Sequence, residues 1–285
     1  MNRHLRVEIH LDAIKRNFNT ILERLKTFCP AGSKAQKTGI IGVVKADAYG
    51  HGAIKVSKVL QELGIDYLAV AYLDEAIALR EEGITVPIIV LFEEPDLQKY
   101  LRYDLRAVIY SLKELERIER TAKTSGPPLY VHLKIDTGMG RLGLLPDEAL
   151  EGIKRIAASG SLRLEGIMSH FSEAELSDKV SALRQLKLFK DLVFQGVEML
   201  KERPILHIAN SAALFSLPEA KFSAVRPGLA LYGYLPGRLE GPGLLPAMKV
   251  KTKLLDVRRL KKGTSLSYGG TFVTKRETIA GVIQA

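Results

Sequence analysis

The chain has 285 residues, 46% of them hydrophobic and 26% charged, the balance of a globular protein large enough for one barrel or two ordinary domains. A single cysteine, Cys29, excludes an internal disulfide and a cysteine-based metal site, no metal is expected, and no apolar run approaches the length of a membrane span. The net charge of +10 raises nucleic acid as a partner, but the basic residues are scattered among acids and only Arg258-Arg259-Leu260-Lys261-Lys262 is dense, so a solvated basic surface is expected instead.

The N-terminus lacks the apolar core and small-residue cleavage site of a signal peptide, so a cytoplasmic location is expected. Residues 6–11 alternate Val7, Ile9 and Leu11 with polar side chains, the pattern of a half-exposed strand. Asp12 is placed to cap a helix whose apolar positions are Ile14, Phe18, Ile21, Leu22 and Leu25. A polar loop follows at 30–39. From there short β-rich runs alternate with helical stretches. Strands are predicted at 41–44, 67–71, 87–92, 106–110, 129–135, 162–169, 205–209 and 222–225, with helices in the gaps between them.

Such alternation implies parallel pairing, and eight units of this size fit a (β/α)8 TIM barrel. A doubly wound open sheet is the alternative, but no Gly-x-Gly-x-x-Gly opens a helix after a strand. The texture changes at a turn-rich linker, 235–243. Residues 248–260, 265–272 and 278–283 then read as strands with no helix between them, the beginning of a small β-domain. The expected division is a barrel at 12–235 and an incomplete β-domain at 244–285, which strand 6–11 is able to join.

In a barrel of this kind the chemistry sits at the C-terminal ends of the strands. Lys45 ends the first of them. A lysine there can snorkel to water, or, walled by apolar groups, lose solvation and form a Schiff base with an aldehyde. Asp136-Thr137-Gly138-Met139-Gly140 can be only a turn. His170 can be a hydrogen-bonded core histidine. Asn210-Ser211 can be a helix cap, or can present Ser211 and first-turn amides to a phosphate. Arg226-Pro227-Gly228-Leu229 can be a strand terminus or a close approach for an anion. Polar residues converging from five strand ends favour a site.

The stretch Val43-Val44-Lys45-Ala46-Asp47-Ala48-Tyr49-Gly50-His51-Gly52 resembles the pyridoxal-phosphate lysine motif of alanine racemases. Five further motifs agree in order: 134–143, Ser169-His170-Phe171, 207–212, Val225-Arg226-Pro227-Gly228-Leu229 with Tyr232-Gly233, and Ser267-Tyr268-Gly269. Pyridoxal-phosphate homeostasis proteins share the barrel and a lysine but not the Ser-Tyr-Gly motif, and remain the alternative as binding proteins without turnover.

The resemblance implies pyridoxal 5'-phosphate as cofactor, alanine as small-molecule substrate and a homodimer in the full-length form. Lys45 would hold the cofactor aldehyde and act as base on the D side. Tyr268, reaching from the partner subunit, would act on the L side. Arg226 would donate to the pyridine nitrogen, with His170 supporting it. Tyr49, Ser211, Gly228 and Leu229 would hold the phosphate. Arg141 would meet the substrate carboxylate, and Lys134 is the candidate for carbamylation. Family members run on beyond this point with a Gly-Tyr-Ala-Asp-Gly segment where this chain reads Gly281-Val282-Ile283-Gln284-Ala285, so a C-terminally truncated racemase is expected.

Overall fold

The structure is a computed structural model that describes residues 5–26, 38–122 and 127–284. Cys29, most of the predicted 30–39 loop and residues 123–126, in the gap between the strands predicted at 106–110 and 129–135, lie outside the described residues.

The chain forms two compact units, one built from Leu11–Ala247 and one from the N-terminal strand with the stretch that starts at Met248. In the second unit, β1 (Arg6–Ile9) pairs antiparallel with a strand from the far end of the chain, described below. The larger unit opens with the helix Leu11–Lys26. Its first residue is Leu11, so Asp12 lies inside the first turn rather than capping it, where its charge still suits the helix N-terminus. The helix buries Ile14, Phe18, Ile21 and Leu25 on one face, as the spacing predicts. It also buries Asn17, whose amide donates to the carbonyls of Leu231 and Leu245 and accepts from the Leu245 N–H.

The barrel strands are β2 (Gly39–Val43), β3 (Tyr67–Val70), β4 (Ile88–Val90), β5 (Leu105–Ile109), β6 (Leu129–Lys134), β7 (Leu162–Met168), β8 (Ile205–His207) and β9 (Ala224–Val225). All pair in parallel, in the order β8-β7-β6-β5-β4-β3-β2-β9. Between β8 and β9 the ring is nearly closed by a parallel bridge of Asn210 with Arg226, in which the Arg226 N–H donates to the Ala209 carbonyl at 2.8 Å. This is the TIM barrel expected from the alternation.

Side chains alternate across each strand. One set, including Ile40, Leu68, Val70, Ile88, Val90, Ala107 and Val131, packs against the helices. The other fills the interior with Ile41, Val43, Ala69, Ile89, Leu91, Val108 and Met168. By the same alternation Arg106, Tyr130, His132 and Lys134 also point inward, so the interior carries a polar seam among its apolar layers.

In the second unit the run predicted as one strand at 248–260 is two: β10 (Met248–Lys251), the partner of β1, and β11 (Leu254–Leu260). The predicted strand 265–272 is a small hairpin. β12 (Ser265–Leu266) pairs with β13 (Phe272–Val273) across a 3₁₀ turn, Tyr268–Gly270. The glycines explain it, because Gly269 and Gly270 both adopt positive φ, which a continuous strand cannot hold. β14 (Thr278–Ile283) pairs antiparallel with β11.

Candidate active site

A cavity of about 210 Å³ in the barrel unit is lined by side chains from six strand ends. Lys45, Tyr49, Lys134, Arg141, His170, Ser211, Arg226, Gly228 and Leu229 all contribute, so nine of the ten expected site residues meet there. The tenth, Tyr268, belongs to the other unit, where its side chain is 99% exposed on the hairpin turn.

β2 ends at Val43, and Lys45 opens a turn that the sequence did not disclose. Ala46, Asp47, Ala48 and Tyr49 have φ of 52°, 51°, 54° and 53°, one turn of left-handed helix without a glycine. Such a backbone costs about 1–2 kcal/mol per residue and concentrates at functional sites. Side chains hold it. Asp47 accepts from the Ala53 N–H at 2.6 Å, and Glu75 accepts from the Ala46 N–H at 2.5 Å. The turn stands Lys45 Nζ 4.9 Å from the centre of the Phe92 ring, with the Arg141 guanidinium 5.3 Å from the same ring. Burial lowers the Lys45 ammonium, Arg141 lowers it further, and Glu75 opposes both.

Lys134 ends β6, where it is 3% exposed and its Nζ has no hydrogen-bond partner among the described residues. Burial first, then Arg141 and Arg226, push it down to about 8, against Asp136. Asp136 organises the loop that follows. Burial works against its ionisation, but the N–H groups of Gly138, Met139, Gly140 and Arg141 all donate to its carboxylate and lower it.

Arg226 is buried at the end of β9. Its guanidinium donates to the carbonyls of Ser169, His207 and Ile208 and to Nδ1 of both His207 and His170. A guanidinium can only donate, so His207 Nδ1 accepts and His207 Nε2 carries the proton. That proton points at His132 Nδ1, 2.8 Å away, and His132 Nε2 then donates to Glu165 at 3.1 Å. Burial lowers both His132 and His207, which keeps them neutral. Glu165 is held below its ordinary value by His132, Arg106 and Tyr67, against burial. A polar seam therefore runs down the interior from cation to carboxylate with every donor facing one way. Gly166 makes room for it, since a Cβ there would come within 2.2 Å of His132 Nδ1. At the rim, burial and the charges of Arg226, Arg141, Lys134 and Lys45 push His170 down to about 3.

At the other end of the cavity Ser211 opens the helix Ser211–Ser216, whose N-cap Asn210 accepts from the Ala213 N–H at 3.0 Å. Ser211 Oγ accepts from the N–H groups of Gly228 and Ala230. The Tyr49 hydroxyl stands where a Cβ on Gly228 would come within 2.8 Å. Burial raises the Tyr49 phenol, so it is a neutral donor.

The sequence reading missed His132 and Glu165 as parts of this arrangement. A signal was present in the alternation of Tyr130, His132 and Lys134 along an otherwise apolar strand, which places a polar line on the inner face of β6.

Residues 9–236 match the family described as alanine racemase, N-terminal domain. The alanine racemase of Thermodesulfovibrio yellowstonii is 46% identical over 283 residues, covering 99% of this chain and 73% of that protein. That of Clostridium tetani is 38% identical over 296 residues with the same coverage. Among solved structures, alanine racemase from Clostridium difficile 630 matches with a TM-score of 0.81 at 33% identity, covering 99% of this chain and 73% of that one. The biosynthetic alanine racemase from Pseudomonas aeruginosa matches with a TM-score of 0.84 at 30% identity, covering 99% and 75%. The chain therefore belongs to the alanine racemases, a family of isomerases.

Proposed function

We propose that this protein interconverts L- and D-alanine with pyridoxal 5'-phosphate as cofactor, using Lys45 and Tyr268 as its two bases, and that it supplies D-alanine for peptidoglycan from the cytoplasm. The observation that carries the reading is the cavity itself. Lys45, Lys134, Arg141 and Arg226 converge on it, and among the described residues that line it there is no carboxylate. Such a pocket suits a small, flat, multiply anionic ligand.

The residues fit the cofactor. Glycine at 228 lets the Tyr49 hydroxyl come close to the backbone, where a Cβ would lie within 2.8 Å of it, and Ser211 at a helix start lines the same cavity, surroundings that suit a phosphate. Tyr49, Ser211, Gly228 and Leu229 would hold the phosphate, Arg226 the ring nitrogen and Lys45 the aldehyde carbon. When bound, pyridoxal phosphate supplies an electron sink that acidifies the α-proton of alanine. Arg226, fixed by five acceptors, keeps its own protons and leaves that sink weak, which limits side reactions. Lys45, its ammonium lowered by burial and by Arg141, gives up its proton more readily than an exposed lysine and moves the α-proton on one face. Arg141 holds the substrate carboxylate. A carbamate on Lys134 would convert an unpartnered buried amine into an anion beside Arg141 and hold that guanidinium in place. Tyr268 serves the opposite face from the partner subunit of a homodimer.

A second reading is a cofactor-binding protein without turnover, favoured by one observation: Tyr268 stands fully exposed on a turn of a separate unit. One experiment separates the two. The chain is incubated with pyridoxal phosphate in heavy water with L- or D-alanine, and α-proton loss is followed by NMR beside a chiral assay and borohydride trapping. Exchange with inversion from both enantiomers is expected. A trapped adduct at Lys45 with no exchange from either enantiomer leaves binding alone.

A further inference from the structure

Glu75 lies three residues into the helix Leu73–Glu81, where a glutamate commonly closes a capping box. One of its oxygens does that work: Oε2 accepts from the N–H groups of Ala71 at 2.7 Å and Tyr72 at 3.1 Å. The other does not. Oε1 accepts at 2.5 Å from the N–H of Ala46, a residue distant in sequence and the first of the left-handed turn. Capping needs no such bond, so a second role is required. A single half-buried carboxylate joins the turn after β2 to the turn after β3 and to the start of the following helix. The stitching continues, since Glu93, just beyond β4, accepts from the Leu73 N–H at 2.6 Å.

We infer that Glu75 is a positioning residue for Lys45: its carboxylate clamps the strained turn that carries the lysine to the neighbouring strand end and places a negative charge beside the amine. The inference rests on the reading that Lys45 takes the cofactor's aldehyde. The backbone N–H of Ala46 follows Lys45 directly, so the clamp fixes the plane from which the lysine side chain leaves toward Phe92. Four residues of left-handed backbone are stable only where the surroundings hold them. A charged acceptor is the strong form of that hold, about twice as strong as a neutral one. The charged groups acting on Lys45 are Arg141 from the loop after β6 and Glu75, and of the two Glu75 alone favours the ammonium; His170, across the same cavity, is itself lowered by the Lys45 charge.

The test uses Glu75→Ala and Glu75→Gln in the full chain, the second because it keeps the shape if the first fails to fold. Amide hydrogen exchange at Ala46 needs no cofactor and reads the clamp. The pH profile of the rate at which pyridoxal phosphate forms a borohydride-trappable adduct at Lys45 reads the charge, which a purely structural role would not move. Exchange at Ala46 is expected to accelerate about tenfold or more while amides of β5 and β6 stay protected. The profile midpoint is expected to shift to lower pH in Glu75→Gln, because the one group favouring the ammonium is gone. Unchanged exchange at Ala46, or an unchanged midpoint in a folded variant, overturns the proposal. If the parent chain traps no adduct at Lys45, the cofactor reading fails, and a null result at Ala46 separately disposes of the clamp.

Discussion

Lys134 is the residue whose physics stands furthest from its surroundings. It is an amine 3% exposed, with no acceptor among the described residues and two guanidinium groups bearing on it. Its folded value, pushed down to about 8, lies below its unfolded one. The folded state therefore binds fewer protons than the unfolded state from about pH 8 to 10.5, and stability rises with pH across that window. Lys134→Met removes the buried charge, so thermal melts should show the variant more stable than the parent at pH 7, with the gap closing by pH 10. A parent whose melting point falls over that window relative to the variant would contradict the assignment. The same chemistry bears on carbamylation, which needs the neutral amine. A ¹³C-carbamate signal from labelled bicarbonate should grow from pH 7 to 9 and be absent in the variant. The lysine itself was visible as a strand-end cation, but its lack of an acceptor was not, because partners come from other strands.

The loop after β6 is held by a single carboxylate. Asp136 accepts four successive N–H groups and so sets where Arg141 begins. Replacing it with alanine leaves those donors to water, and Asp136→Ala should lower stability by about 1–3 kcal/mol in denaturant melts. The difference has a sign in pH. The folded value of Asp136 is lowered, so its contribution is present above the unfolded value and is lost as pH falls through the folded one. The two melting curves should converge in acid, and a gap that widens there would refute the account. The Asp-Thr-Gly-Met-Gly run announced a turn from its composition. The glycines at 138 and 140 permit the positive φ they adopt, but that the aspartate gathers four N–H groups of the turn on itself is decided by the fold. The left-handed turn after Lys45 was less legible still, because alanine, aspartate and tyrosine carry no signal for such a backbone.

At the scale of the molecule the two units differ in how much they bury. The barrel unit encloses a continuous core between sheet and helices and a second set of apolar side chains within. The other unit is made of two-stranded sheets, and along β11 and β14 Leu254, Leu255, Val257, Ile279 and Ile283 are all exposed. Two-stranded ribbons without a buried face are marginal in water. Native-state hydrogen exchange should therefore show the amides of β11 and β14 exchanging by local opening while those of β3 to β6 follow global unfolding. Equal protection in both would mean that the exposed apolar face is covered in solution.

The alternation of strand and helix, hence a parallel barrel, and the order in which polar residues fall at strand ends are written in the chain. Both are local properties, set by side-chain period and by which residues tolerate turns. Folding is what brings nine of the expected residues around one cavity with no carboxylate among its described lining residues, turns Glu75 back to the turn of Lys45, and answers Arg226 with Glu165 through two histidines. These join segments far apart in the chain. Their geometry depends on closing the ring between β8 and β9, which no local pattern encodes.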